Sequence, residues 1–314
     1  MKRSMSNSRL GQWDDSNHPH KKPKYLEYDA DSSTTKKPST DVRIPESGWW
    51  MVTQYLGKGS YGSVYSAVIT TDGDEDDLPY EIAIKSNEIS ESSQIMNEER
   101  ILLGLKSPFV VTCYGHKITE EKNEYPTTMY YNTILEYCPN QCLAKHIKNY
   151  EGRGLPENDV KGLATDILLG LKYIHGEKII HCDIKPKNIL LAPENKRIRA
   201  NGFAAKISGF GKAMETESVE YNEGCGHRRG TTRFMSPELI RDMVLDYGAD
   251  VWAFGCTVLE MLTGERVWGE HGELDWEDWI TLIDAFLNVA SDLNAFAAFM
   301  AFRSRRRKET IIQR

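Results

Sequence analysis

Between Trp49 and Tyr137 short apolar runs, rich in β-branched and aromatic residues, predict strands at Trp50–Leu56, Val64–Thr70, Ile82–Lys85, Val110–His116 and Tyr130–Tyr137. One segment breaks that pattern: Ser93–Leu105 places Ile95, Ile101, Leu102 and Leu105 on a single helical face. After Cys138 the spacing changes to threes and fours. Val160, Leu163, Ala164, Ile167, Leu171 and Ile174 predict a helix over Asn158–His175, with Pro156 ahead of it and Gly176 behind. A further helix, Asp250–Thr263, is apolar nearly all round and stops at Gly264. It is too short to span a bilayer, so it is expected inside a core. A strand-rich half followed by a helical half predicts an α+β fold of two lobes with a cleft between them.

The flanks read differently. Residues 1–47 hold few large apolar side chains and many Ser, Thr, Asn, Lys and Pro, which predicts a flexible leader. No apolar segment follows Met1-Lys2-Arg3, and Asp14, Asp15, Glu27 and Asp29 argue against an organelle transit peptide. Lys21-Lys22-Pro23-Lys24 is read first as a solvated basic patch and second as a nuclear address. The acidic stretch Asp72–Asp77 is expected as a solvent-exposed loop. Ile280–Phe302 carries Asp284, Asn288, Asp292 and Asn294, which excludes it as a membrane span. A net charge of −7 speaks against a protein that coats nucleic acid. Six cysteines without a CxxC pair, Cys138 and Cys142 among them, are expected as free thiols in a reducing, cytoplasmic compartment.

Three clusters carry chemistry. Gly57-Lys58-Gly59-Ser60-Tyr61-Gly62 fits GxGxxG, in which glycines let backbone amides approach phosphate oxygens. Gly62 leads into Ser63-Val64-Tyr65-Ser66, a strand rather than a helix, so the loop is expected as a hairpin tip and not as a dinucleotide turn. Downstream, Ile82-Ala83-Ile84-Lys85 ends a buried strand on a lysine, which needs a charged partner. Glu98, in the Ser93–Leu105 helix, is the expected partner and would help aim the ammonium at nucleotide phosphates, while Glu99 beside it is expected to face water. The third cluster is His181-Cys182-Asp183-Ile184-Lys185-Pro186-Lys187-Asn188-Ile189-Leu190. Its spacing suits phosphoryl transfer: Asp183 to accept a hydroxyl proton, Lys185 to neutralise the phosphoryl group, Asn188 to bind magnesium.

From about Trp50 to Trp279 the chain resembles a eukaryotic protein kinase domain of the serine/threonine type, with its motifs in the family's order. Gly230-Thr231-Thr232-Arg233-Phe234-Met235-Ser236-Pro237-Glu238 resembles the end of an activation segment, with Ser236 where alanine is usual. Asp250-Val251-Trp252-Ala253-Phe254-Gly255 resembles the family's central helix. The helical half, Gly255–Gly264 included, is most like plant mitogen-activated protein kinase kinase kinases. The resemblance implies a two-lobed kinase fold, with an antiparallel sheet and one helix in the N-lobe, a mainly helical C-lobe and an atypical C-terminal part. Expected boundaries are 1–47 for the leader, 48–138 and 139–283 for the lobes, and 284–314 for a divergent tail. It further implies ATP as substrate with Mg2+, transfer to a protein hydroxyl, a MAP kinase kinase as partner, and neither nucleic acid nor membrane. Leu135 would back the adenine pocket, Glu136–Cys138 would form the hinge, and Val64, Ala83 and Leu190 would sandwich the base.

Three departures qualify that picture. The family's Asp-Phe-Gly is Gly209-Phe210-Gly211 here, which removes a metal-binding carboxylate and predicts slow turnover or, alternatively, a pseudokinase that binds nucleotide or docks partners. Cys182 replaces an arginine that ordinarily meets a phosphate on the activation segment, which predicts little control through Thr216, Ser218 or Tyr221. Beyond about Ile283 the family pattern is lost, including the arginine expected to pair with Glu238. The basic run Arg303–Lys308 is expected as a solvated tail.

Overall fold

The computed structural model describes residues 48–59, 61–70, 78–121, 127–196, 199, 201–222 and 229–268. The leader, Ser60, the acidic stretch Asp72–Asp77, Arg228 and everything after Trp268 lie outside the described residues.

Five antiparallel strands build the first half: β1 (Trp50–Gly59), β2 (Gly62–Ile69), β3 (Glu81–Glu88), β4 (Cys113–Glu120) and β5 (Met129–Glu136), in the order β1-β2-β3-β5-β4. Strand β3 is central, and Ile82 through Ser86 are all buried, so Lys85 sits in a strand covered on both faces. Helix α1 (Ser93–Leu102) packs Ile95, Ile101 and Leu102 inward. The apolar core around Leu102 and Leu135 continues without a break into the helical half, through Phe210 to Ile174, Ile189 and Ala253.

The helical half contains α2 (Leu143–Lys148), α3 (Glu157–Gly176), α4 (Val219–Asn222), α5 (Pro237–Arg241) and α6 (Tyr247–Thr263). Short strand pairs join its loops: β6 (Ile179–Ile180) with β9 (Met214–Glu215), and β7 (Ile189–Pro193) with β8 (Phe203–Ile207). Helix α3 buries the apolar stripe read from its spacing, with Glu157 and Asp159 in the first turn and His175 in the last, as the helix dipole favours. Ser236 caps α5 by accepting from the Leu239 N–H, a role alanine could not take.

Several expectations shift. Val110 and Val111 are not in the strand begun at Cys113; the Val111 N–H donates to Ile207 O (2.9 Å), tying this segment to the other half. Helix α1 stops at Leu102, where Gly104 N turns back to Ile101 O. Helix α6 starts earlier than expected, because Asp246 accepts from Gly248 N and caps it. Its burial is also less complete than its composition suggests: Val251 and Leu262 are exposed. Among the described residues no helix is long and apolar enough to cross a membrane, and the five described cysteines are free thiols.

Gly264 ends α6 with φ +70°, and a Cβ there would lie 2.6 Å from Gly154 N and 2.7 Å from Gly152 C. A left-handed L-residue costs roughly 1–2 kcal/mol before any collision. Gly264→Ala is therefore expected to lower Tm by about 3 °C or more in a thermal melt. An unchanged Tm would show that this junction relaxes freely.

Candidate active site

The hairpin joining β1 and β2 pairs Gly59 with Gly62, and Gly57 (φ +149°) and Gly62 (φ +143°) take backbone positions that suit glycine. A Cβ on Gly62 would lie 2.4 Å from Ser86 O, so glycine lets the tip close onto β3. Lys58 is exposed on β1. Tyr61 reaches Lys85, whose Nζ is 5.8 Å from the ring centroid, and it also lies against Gly211. Burial, with Asp183 and Glu98 nearby, pushes the Tyr61 phenol above its ordinary value. Tyr61 at the tip therefore lies near Lys85 and Gly211. Ser60 lies outside the described residues.

Under that hairpin, Lys85 Nζ donates to Glu98 Oε2, the partner expected from sequence. The other Glu98 oxygen accepts the Gly209 N–H at 3.1 Å. Glu99 departs from expectation: it is buried rather than solvated, because β4 and β5 supply His116 and Tyr131 as partners.

Asp183 sits at the centre of the second group. Lys185 Nζ donates to its Oδ2 (2.7 Å) and also to Thr231 Oγ1 (2.7 Å), while Thr231 donates to Asp183 Oδ1 (2.7 Å). Asn188 Nδ2 donates to the Asp183 carbonyl (2.8 Å) and to Oδ2 (3.2 Å). Burial works to raise the Asp183 pKa, but Lys185, the Thr231 hydroxyl and Lys212 outweigh it and hold the carboxyl below its ordinary value. Asp183 is thus an anion presented by a ring of donors. Lys212, whose own pKa burial pushes down, donates to Gly230 O (2.5 Å) and ties the two ends of the activation segment together.

The loop bearing Asp183 is fixed from below. Asp250 is fully buried; its Oδ2 accepts the His181 N–H (2.8 Å) and its Oδ1 the Cys182 N–H (2.9 Å), while His175 Nε2 lies 2.9 Å from Oδ2. Cys182, in the left-handed region (φ +63°), donates its thiol to Ile180 O. His181 Nε2 donates to Ser208 O (3.0 Å), its Nδ1 accepts the Asp183 N–H (3.2 Å), and its ring meets Phe210 edge-on at 4.6 Å.

Gly209 has φ +81° and ψ 44°, and the space a Cβ would need is filled by the Asn188 amide, at 2.7–2.9 Å. Asn188 supplies one neutral oxygen for a cation, and no group of three or more His, Cys, Asp or Glu suited to a metal occurs among the described residues. That set falls short of the carboxylate ligands magnesium ordinarily takes alongside phosphate oxygens. Where adenine would lie, Ala83, Leu135 and Leu190 join one apolar core, whereas Val64 is half-buried outside it. Glu136 turns its side chain to Lys206 (2.8 Å), and its N–H donates to Thr112 O (2.9 Å), so that donor is taken up within the fold. Cys138 is buried, and burial with Glu136 nearby pushes its thiol up to about 12, which makes it a poor nucleophile.

Sequence reasoning passed over Thr231 as a site residue, and Lys212, Asp250, His116 and Tyr131 as site supports. Asp250 had a signal: a carboxylate opening an otherwise apolar helix must find buried donors.

A match to the family described as protein kinase domain covers residues 50–296. Among similar curated proteins, mitogen-activated protein kinase kinase kinase 20 of Arabidopsis thaliana is 35% identical over 228 residues, 70% of this chain and 60% of that protein. Mitogen-activated protein kinase kinase kinase 18 of the same plant is 36% identical over 223 residues, with the same coverage. MAP kinase kinase kinase wis4 of Schizosaccharomyces pombe is 33% identical over 238 residues, 70% of this chain and 15% of that protein. The chain thus spans about 60% of the length of these two plant relatives.

His181 generates a pH prediction. It is fully buried, and burial lowers its pKa below the ordinary value of about 6.5. Above that value both states are neutral. Below it the unfolded chain takes up a proton that the folded chain refuses, so stability falls as pH falls, by at most about 1.4 kcal/mol per pH unit for this group. The decline in Tm from pH 7 to 5.5 should be shallower in His181→Asn than in the native chain; equal slopes would assign the acid sensitivity elsewhere.

Proposed function

The chain belongs to the protein kinase family, and from that premise we propose that it is a serine/threonine protein kinase of a MAP kinase cascade, slowed by Gly209. It would transfer the γ-phosphate of ATP to a hydroxyl of a protein substrate, a MAP kinase kinase being the substrate class that the names of its relatives suggest. Residues 48–138 and 139–283 would form its two lobes, between the leader 1–47 and the divergent segment 284–314.

The observation that carries this reading is the Asp183 cluster. An ionised carboxylate, held below its ordinary pKa by Lys185, Thr231 and Lys212 against the pull of burial, would orient a substrate hydroxyl and take up its proton only as the oxygen is phosphorylated and becomes acidic. Lys185, 2.7 Å away, would neutralise charge on the transferring group. Lys85, held by Glu98, would bind the nucleotide phosphates beneath the glycine hairpin. The hairpin residues Gly57, Lys58, Gly59, Ser60, Tyr61 and Gly62 would cover them. Ala83, Leu190 and Val64 would enclose the base, and Glu136 and Cys138 would offer it backbone groups. Asn188 would be the remaining metal ligand, and magnesium would supply charge neutralisation at the phosphates, held less firmly by one neutral oxygen than by a carboxylate.

Position 209 favours a second reading, a pseudokinase that binds nucleotide or docks partners. No carboxylate stands there, and Asn188 fills the place where one would start.

Two measurements test the proposal. Nucleotide should raise Tm, since a ligand at a hundredfold excess over Kd stabilises the native state by about 2.7 kcal/mol, and Lys85→Met should remove most of that shift. Equal shifts in both proteins would sink the assignment of Lys85. Turnover of ATP with a protein acceptor should be slow in the native chain, absent in Asp183→Asn, and about tenfold or more faster in Gly209→Asp, a change of only about 1.4 kcal/mol in barrier. Aspartate tolerates the left-handed region better than most residues, but the Asn188 amide must swing aside for it. A Gly209→Asp chain that binds ATP as before and gains no turnover would leave the pseudokinase reading.

A further inference from the structure

Helix α1 carries two adjacent carboxylates, and both are buried: Glu98 is 2% exposed and Glu99 5%. Neighbouring helical residues point about 100° apart, so the two cannot serve one partner. Glu98 faces β3 and Gly209. Glu99 faces the far strands of the sheet, where it accepts from the Tyr131 hydroxyl on β5 and lies 2.8 Å from His116 Nδ1 on β4. The His116 and Tyr131 rings stack at 4.4 Å and 19°, so the two partners also hold each other. The flanking residues reach elsewhere: Asn97 Nδ2 donates to Ala213 O (3.2 Å), and Arg100 Nη1 to Glu215 (2.9 Å).

Phosphoryl transfer asks nothing directly of Glu99, and an apolar side chain would fill the same place without a desolvation cost. What an apolar side chain cannot do is fix a direction, because hydrophobic contact is non-directional and a hydrogen bond is not. Asn97 and Arg100 tie helix α1 to the activation segment and Glu98 ties it to β3, and none of these directional contacts reaches β4 or β5. Glu99, about 100° round from Glu98, adds the one toward those far strands and so limits rotation on that side. We propose that Glu99, Tyr131 and His116 form a positioning clamp that sets the rotation of helix α1 and so delivers Glu98 to Lys85 in the orientation that phosphate binding needs. Tyr131 stays a donor throughout, because burial and the Glu99 contact push its pKa upward. This role rests on the nucleotide reading of Lys85 given above.

The test compares metal-free ATP with adenosine, which lacks the phosphates that Lys85 would hold. Dissociation constants are measured by calorimetry for the native chain, Glu99→Leu, Glu99→Gln and Tyr131→Phe, well below each Tm and with folding checked by circular dichroism. The clamp predicts ATP affinity weakened about fivefold or more in Glu99→Leu and Tyr131→Phe, adenosine affinity unchanged, and Glu99→Gln intermediate because one acceptor oxygen survives. Should Glu99→Leu fail to fold, Tyr131→Phe and Glu99→Gln carry the same comparison. Equal weakening of both ligands would reduce Glu99 to a structural residue and overturn the clamp, as would variants that bind ATP like the native chain. A native chain that bound neither ligand would remove the nucleotide reading itself, and the clamp with it.

Discussion

The Glu98 carboxylate is the contact on which the rest of the site depends. Its two oxygens take two different donors, the Lys85 ammonium from β3 and the Gly209 N–H from the turn after β8, so one side chain joins the sheet, helix α1 and the start of the activation segment. Both charges lie in a nearly dry place, with side-chain exposures of 11% for Lys85 and 3% for Glu98. Removing one member of such a pair typically costs about 3–5 kcal/mol, because the other is left buried and unpaired. The geometry is therefore enforced by the penalty for breaking it more than by the net attraction.

The second fixed point works by the same logic at the other end of the site. Asp250 is buried at the start of α6 and answers two backbone N–H groups of the loop carrying Asp183, with His175 beside it. Those amides would otherwise be buried without partners. Cys182 can then hold a positive φ, which turns the chain so that Asp183 faces Lys185 and Thr231 instead of the core. The activation segment is likewise held by internal partners: Lys212 on Gly230 O, Arg229 on Glu220, and the Tyr221 hydroxyl on Leu245 O.

Much of this was readable from the chain because the signals are local. Short apolar runs and spacing by threes and fours gave the order of strands and helices, and glycines gave the hairpin tip. The Asp183–Asn188 cluster is one short loop, so its residues had to be neighbours. Glu98 was readable because a lysine in a buried strand demands an acid, although β3 runs on past Lys85 to Glu88 instead of ending there. What failed to show was the work of residues brought together from afar. Glu99 was read as solvated because of two adjacent helical residues one was expected inward and the other outward; its partners His116 and Tyr131 come from two strands well downstream. Val110 and Val111 were read as strand because they are β-branched, yet their place is set by pairing with Ile207 in the other half. The exposure of Val251 and Leu262 likewise follows from what packs on α6, which composition alone does not encode.

Position 209 separates two things that one aspartate would combine. A residue there offers a backbone, which must adopt a left-handed conformation, give its N–H to Glu98 and send Phe210 into the core. It can also offer a side chain, which would meet metal. Gly209 keeps the first set intact: φ is +81°, the N–H reaches Glu98 Oε1, and Phe210 is wholly buried against His181. It lacks the second, and the Asn188 amide lies where a Cβ would be placed. Because Glu98 is oriented by a backbone N–H, the Lys85–Glu98 contact has no need of the missing carboxylate. Assembly of the Lys85–Glu98–Gly209 contact and supply of a carboxylate at position 209 are thus independent in this fold, since the first is complete here without the second.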